Sequence, residues 1–317
     1  MSNRPIVIVP VDGSRETEWT VAFASSVARR AAADLHMVHV LSRAGGRWIG
    51  PEAETGVRAR LRALRPLVER EGLRFRTITL RGRPESVIPA YAQLNAAKTI
   101  VVGRNYGTSG FWRNGAVANR ISRSSPVPVI VLPTSAPVEP VAPLSLKRIM
   151  VAVDFNVASA IGVRTASDLA RRHGARLTMV HAMTWPPNMV FSGGEAARLV
   201  RGLPAEASAI AKRLKRKVRA FRVADVESLV VTGVPSRRIV ETAASSNADL
   251  IVMGVAPRTP FDEAVFGSTL RGVLRRATVP VLVVPVVAGG QPWLDDANGS
   301  DAFSFDVAEG AVTPLAA

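Results

Sequence analysis

At 317 residues, with 47% of them hydrophobic, the chain exceeds the usual range of a single core and can fill two. No apolar run nears the roughly 18 to 20 residues of a membrane span, and the apolar strand after Met1–Pro5 is too short for a secretory signal. With no cysteine there is no disulfide scaffold and no thiolate metal site, and the expected location is the cytoplasm; the arginine-dominated net charge of +16 attracts polyanions in general and is read as solvated helix faces before a nucleic-acid surface.

In chain order, strands are predicted near 5–11, 35–41, 74–81, 99–102 and 127–132, with helices near 15–32, 54–71, 84–96 and 115–124 between them. The strands are continuous valine- and isoleucine-rich runs, as strands buried on both faces of a parallel sheet are. Pro84 stands where a helix starts, since a proline is tolerated in a first turn. The pattern then repeats. Ile6–Asp12 matches Ile149–Asp154, Leu35–Val40 matches Leu177–Ala182, Gly82-Arg83-Pro84 matches Gly233-Val234-Pro235, and Thr99–Gly103 matches Leu250–Gly254. Val127–Pro133 matches Val279–Pro285. The fold class expected is α/β: two tandem, doubly wound, five-stranded parallel-sheet domains of strand order 3-2-1-4-5, Rossmann-like. The domains span 4–133 and 147–285. A proline-rich linker, 134–146, joins them, and an acidic tail, 286–317, is expected to be disordered.

Ligands of such sheets bind beyond the carboxyl ends of the strands, where strand order reverses. Two features of each copy fall there: the aspartate closing strand one (Asp12, Asp154) and the glycine closing strand four (Gly103, Gly254) with the loop and helix after it. A carboxylate accepts hydrogen bonds from a ribose hydroxyl or an adenine amine. A glycine loop entering a helix offers backbone N–H groups and a positive dipole end to phosphate. Copy two reads Gly254, Pro257, then Gly267-Ser268-Thr269 before an expected helix Leu270–Arg276. Copy one reads Gly103, Gly107, then Gly115-Ala116, one residue shorter.

These motifs resemble those of a tandem universal stress protein: a strand-one aspartate, here Asp12-Gly13-Ser14 in copy one, a Gly-x2-Gly-x9-Gly-(Ser/Thr) loop, the Gly-x-Pro helix entry and the Val-Pro-Val final strand. The resemblance implies an adenine nucleotide α-hydrolase-like fold and ATP as cofactor, with or without Mg. In copy two it implies contacts from Val153, Asp154, Ala182, Met253, Gly254, Gly267, Ser268 and Thr269. In copy one it implies Val11, Asp12, Val40, Gly103, Gly107 and Gly115, with adenine beside the backbone of Val40 or Ala182. Copy two is the better candidate. It departs from the pattern at Pro257 and at Phe155-Asn156; copy one departs at the shifted Gly107 and at Ala116.

The expected role is a stress-responsive, nucleotide-binding sensor or regulatory module rather than an enzyme. No Gly-x-Ser-x-Gly elbow and no acid/base pair stands out, although slow ATP hydrolysis is conceivable. The alternative is an interaction protein of the same fold, without nucleotide, acting on an unidentified protein partner. A charge-driven nucleic-acid binder is a third reading. His36, His39, His173 and His181 lie in no metal-ligand pattern and are taken as packing or surface residues. Lys212–Arg219 reads as the cationic face of an amphipathic helix, and Trp48, Trp112, Trp185 and Trp293 fall in loops or tail. The final strands of the two copies are expected to pair within the chain, and two chains can pair further as a homodimer.

Overall fold

A computed structural model describes residues 4–12, 14, 17–41, 43–44, 47–48, 51–106, 116–134, 146–183, 223–256 and 266–286, together with Ser208, Ala209, Lys212 and Arg216. Copy one runs β1 (Ile6–Pro10), α1 (Thr17–Arg30), β2 (Asp34–Leu41), β3 (Arg43–Ala44), β4 (Arg47–Trp48), α2 (Pro51–Arg70), β5 (Phe75–Arg81), α3 (Pro84–Leu94), β6 (Thr99–Gly103), α4 (Ala116–Ser124) and β7 (Val129–Leu132). Copy two runs β8 (Arg148–Ala152), α5 (Val157–His173), β9 (Arg176–Met183), β10 (Val226–Thr232), α6 (Pro235–Ser245), β11 (Leu250–Val255), α7 (Phe266–Arg276) and β12 (Val281–Pro285). The linker, apart from Thr134 and Leu146, and the tail, apart from Val286, lie outside the described residues. So do Trp112, Trp185, Trp293 and most of Lys212–Arg219, of which Lys212 and Arg216 are helical and exposed.

All long strands join one ten-stranded sheet of order β10-β9-β8-β11-β12-β7-β6-β1-β2-β5. Each half is parallel and has the 3-2-1-4-5 order. The halves meet where β12 and β7 pair antiparallel, Val281 opposite Val131, Leu282 opposite Ile130 and Val283 opposite Val129. The expected pairing of final strands is thus present within one chain. The inner strands are buried nearly end to end, and the outermost strands β5 and β10 are not, because each covers only one neighbour. Two differences from the sequence reading stand out. The small ladder β3–β4 places Trp48 in a two-residue strand, too short to show a periodicity. The last helix starts at Phe266 rather than Leu270, which puts Gly267 and Ser268 inside its first turn.

One face of the sheet carries α3, α4, α6 and α7 over a single buried cluster that crosses the junction, with Val129 and Val131 from β7 beside Val281 and Val283 from β12. The other face has two separate clusters, one under α1 and α2 and one under α5. The junction is also tied by Arg104, just past β6. Its guanidinium donates to the carbonyls of Arg275 (2.8 Å) and Ala277 at the carboxyl end of α7. A cation there meets the negative end of the helix dipole. Val255, the repeat partner of Arg104, has no such group.

Folding also fixes a titration. His36 is buried on β2, with Tyr91 Oη at 2.9 Å from its Nδ1. Burial first, then the Arg76 charge, hold its pKa below the ordinary 6.5, against a smaller opposite pull from Asp34. His173 is held down too, by burial and by Arg30 and Arg172. A base with a depressed folded pKa contributes stability that is full above 6.5 and is lost as pH falls through the folded value, because the unfolded chain then binds the proton more readily. Urea midpoints are therefore expected to fall between pH 7 and pH 5, and His36→Gln is expected to flatten part of that slope. An unchanged slope in the variant would assign it elsewhere.

Candidate functional site

The two aspartates sit two residues past the ends of β1 and β8, each in a tight turn made by its own carboxylate. Asp12 Oδ1 accepts from Ser14 N (3.0 Å) and from Thr17 Oγ1 (3.2 Å). Asp154 accepts from Asn156 N (3.3 Å) and from Asn156 Nδ2 (2.8 Å), while Asn156 Oδ1 caps α5 by accepting from Ser159 N. The environments differ: Asp12 is half-buried and Asp154 exposed.

A histidine braces each turn in the same way. His39 Nδ1 donates to the Val11 carbonyl at 2.8 Å, and His181 Nδ1 donates to the Val153 carbonyl at 2.7 Å. A carbonyl can only accept, so Nδ1 carries the proton in both. The residue before each aspartate is thus pinned to the end of strand two. The histidines are packing residues, as expected, but with a shared positioning role that motif reading alone does not reveal.

In copy one the hydrogen-bonded ladder between β1 and β6 stops short of the strand ends. The two strands pair at Val7–Thr99 and Ile8–Ile100. Lys98 N–H donates to the Ile6 carbonyl, so Ile6 faces β6; two-residue periodicity makes Pro10 face β6 as well, without an N–H to offer. Over these strand ends Thr20 of α1 faces Gly103: a Cβ on Gly103 would lie 3.1 Å from Thr20 Oγ1. The result is a small, open crevice. Pro10, Asp12, Gly103 and Tyr106 line it, with the hydroxyls of Ser14, Thr17 and Thr20.

Among the described residues, copy two is packed more tightly at the same place. Ala152 replaces Pro10, and β8 and β11 stay paired for three residues, through Val151 and Val252. Gly162 replaces Thr20, and α5 settles directly on the strand: a Cβ on Gly162 would lie 2.9 Å from Gly254 N, and one on Gly254 would lie 1.7 Å from the Ala158 carbonyl oxygen. Phe155, where copy one has Gly13, takes a left-handed backbone (φ 64°), at a cost of roughly 1–2 kcal/mol. Its ring lies 5.0 Å from that of His181.

Of the residues expected at copy two's site, Val153 and Met253 are buried, Ala182 is partly buried near the end of β9, and Ser268 and Thr269 lie in the first turn of α7. Pro257 lies outside the described residues. In copy one, Asp12 and Gly103 meet across the crevice. Val11 and Val40 are core side chains, so only their backbones can face a ligand. Gly107 and Gly115 lie outside the described residues. Sequence reasoning missed Pro10, Thr17, Thr20 and Tyr106. The swaps of Pro10 for Ala152 and Thr20 for Gly162 were visible signals, both at the 142-residue offset of the aspartates.

Among the described residues no group of three histidine or acidic side chains could hold a metal ion, and no helix is long and apolar enough to cross a membrane. The fold and the strand-end crevice define a doubly wound α/β protein of the ligand-crevice class. The model of the universal stress protein family matches residues 3–133 and again 145–285, and the chain belongs to that family as a tandem member. Universal stress protein Rv2005c of Mycobacterium tuberculosis is 27% identical over 291 residues, covering 87% of this chain and 96% of its own length. A universal stress protein of Thermus aquaticus is 32% identical over 145 residues, 44% of this chain and 98% of its own. In three dimensions, a universal stress protein from Archaeoglobus fulgidus superposes with a TM-score of 0.65 at 18% identity, over 89% of this chain and 97% of that one.

Proposed function

We propose that the chain is a cytoplasmic regulatory module of the universal stress protein family that binds an adenine nucleotide in the crevice of its first copy. The observation that carries the site is the open, polar gap between Asp12 and Gly103, set against the backbone contact that fills the same place beside Gly254. This reverses the ranking expected from the loop spacing, which favoured copy two. A carboxylate with three hydroxyls beside it suits the hydroxyls of a sugar and the amine of a base. The only carboxylate among the described lining residues, Asp12, is already engaged by Ser14 and Thr17. That favours binding over catalysis, which needs a free base within reach of the reacting group. The tighter packing of α5 on Gly254 favours a supporting role for that half, with its outer surface left for a protein partner.

Calorimetric titration with adenine nucleotides tests this reading. Wild type is expected to bind with one site per chain. Asp12→Ala is expected to weaken binding at least tenfold, the order of a lost hydrogen bond to a charged group, while Asp154→Ala leaves it unchanged. Two equal sites would place one in each copy, and a loss on Asp154→Ala alone would return the site to copy two.

A further inference from the structure

We propose that the acidic segment after β12 lies on the arginine stripe of α7 in the same chain and shields that stripe from outside polyanions. The segment 286–317 holds five carboxylates, Asp295, Asp296, Asp301, Asp306 and Glu309, and no lysine or arginine, in a chain whose net charge is +16.

α7 is where positive charge stands without its own counter-charge. Its inner side, Leu270, Val273 and Leu274, is buried in the shared cluster, and Arg271, Arg275 and Arg276 are exposed. Arg271 and Arg275, four residues apart, share one side of the helix. No acidic residue falls within α7. The neighbouring helices neutralise themselves. On α6, Glu241 pairs with Arg237 at 2.8 Å and with Arg238 at 2.7 Å, and Glu85 in the first turn of α3 pairs with Arg120 of α4 at 3.2 Å. Among the described residues no carboxylate comes within ion-pair distance of the three α7 arginines. Arg104 adds a fourth positive charge, its guanidinium on the carbonyls at the end of the helix. Like charges this close repel one another, and a segment of carboxylates relieves the repulsion.

The course of the chain brings the two together. β11 and β12 are parallel, so α7, which joins them, runs back the other way. Its eleven residues and the five of β12 both span roughly 16 Å. The amino end of α7 therefore stands near the carboxyl end of β12. There Val286 follows the sheet, its N–H donating to the Val255 carbonyl at 2.9 Å. Asp295 comes nine residues later, a reach of up to about 30 Å and well beyond the length of the helix. One exposed ion pair contributes little. Attachment to the same chain offsets this, because a segment tethered so near acts at an effective concentration on the order of millimolar.

The experiment uses the full chain. It has no cysteine, so Ser300→Cys accepts a nitroxide at one place, between the carboxylates. At low salt the amide signals of α7 are expected to be lost beside the oxidised nitroxide, and those of α5, on the opposite face of the sheet, to be kept. At about 1 M salt, where the screening length falls to about 3 Å, the α7 signals are expected to return. Arg271→Gln with Arg275→Gln, both exposed positions, is expected to restore them at low salt too. Signals of α7 that persist at low salt, or that are lost equally in the double variant, would overturn the contact. So would their loss when the nitroxide is on one chain and the isotope on another, which would assign the segment to a second copy. Shielding is read separately with a single-stranded oligonucleotide. Changing the five carboxylates to their amides is expected to tighten its binding roughly tenfold, through phosphate contacts newly open on α7. An unchanged affinity, or a gain that survives Arg271→Gln with Arg275→Gln, would overturn the shielding.

Discussion

Gly254→Ala is expected to lower stability by about 3 kcal/mol or more, at the upper end of overpacking costs. The added methyl would sit 1.7 Å from the Ala158 carbonyl oxygen and 2.3 Å from its carbon. Both are backbone atoms, so no rotamer change relieves the clash; α5 itself has to move. That helix packs on β8, β11 and β12 through Val163, Ala166 and Ala170, all nearly inaccessible, and a close-packed core transmits the displacement. Gly103→Ala, the same change at the repeat-related position, is expected to cost less than about 1 kcal/mol, because its methyl meets only the rotatable hydroxyl of Thr20 at 3.1 Å. Urea denaturation of the two variants side by side checks the contrast. Equal losses would mean that α5 does not rest on β11 as described. The same pair bears on function: the copy-one variant should disturb nucleotide binding with little loss of stability, and the copy-two variant the reverse.

Val283→Pro is expected to be comparably severe, again about 3 kcal/mol or more, since proline removes a ladder hydrogen bond and is not accommodated in a central strand. Val283 is fully buried and lies opposite Met253 on one side and Val129 on the other. Its N–H serves one of two flanking strands, and the partner left unsatisfied is shielded from water. The damage falls on the seam that joins the halves and on the one core cluster they share. In scanning calorimetry, wild type is expected to unfold in one transition and the variant at lower temperature in two. A single transition at an unchanged midpoint would show that the seam contributes little.

Much of this architecture is legible in the chain itself. The inner strands announce themselves as unbroken runs such as Ile149–Val153, and the repeated Val-Pro-Val segments point to the seam. The braced turns after β1 and β8 follow from their aspartates. What the sequence does not show is how closely the first helix of each copy approaches the fourth strand. Loop glycines and their spacing are easy to count, and they favour the second copy. The deciding residues are Pro10 against Ala152 and Thr20 against Gly162. None belongs to a loop motif, and their meaning depends on which strand Pro10 faces and how closely the first helix approaches the fourth strand. Tyr106 is opaque for the same reason: in the chain it is one more residue after a glycine, and only the fold buries it beside Asp12.

The antiparallel seam has an evolutionary consequence. Were the two halves separate identical subunits, a two-fold axis would pass between β7 and β12, and every substitution would act twice. A glycine that shut one crevice would shut both, and an arginine reaching over the axis would have a twin reaching back. Covalent fusion lifts that constraint while keeping the paired arrangement intact at any dilution. Gly162 without a counterpart glycine, and Arg104 without a counterpart cation, are the marks of a chain that inherited a symmetric interface and was then free to specialise each side of it.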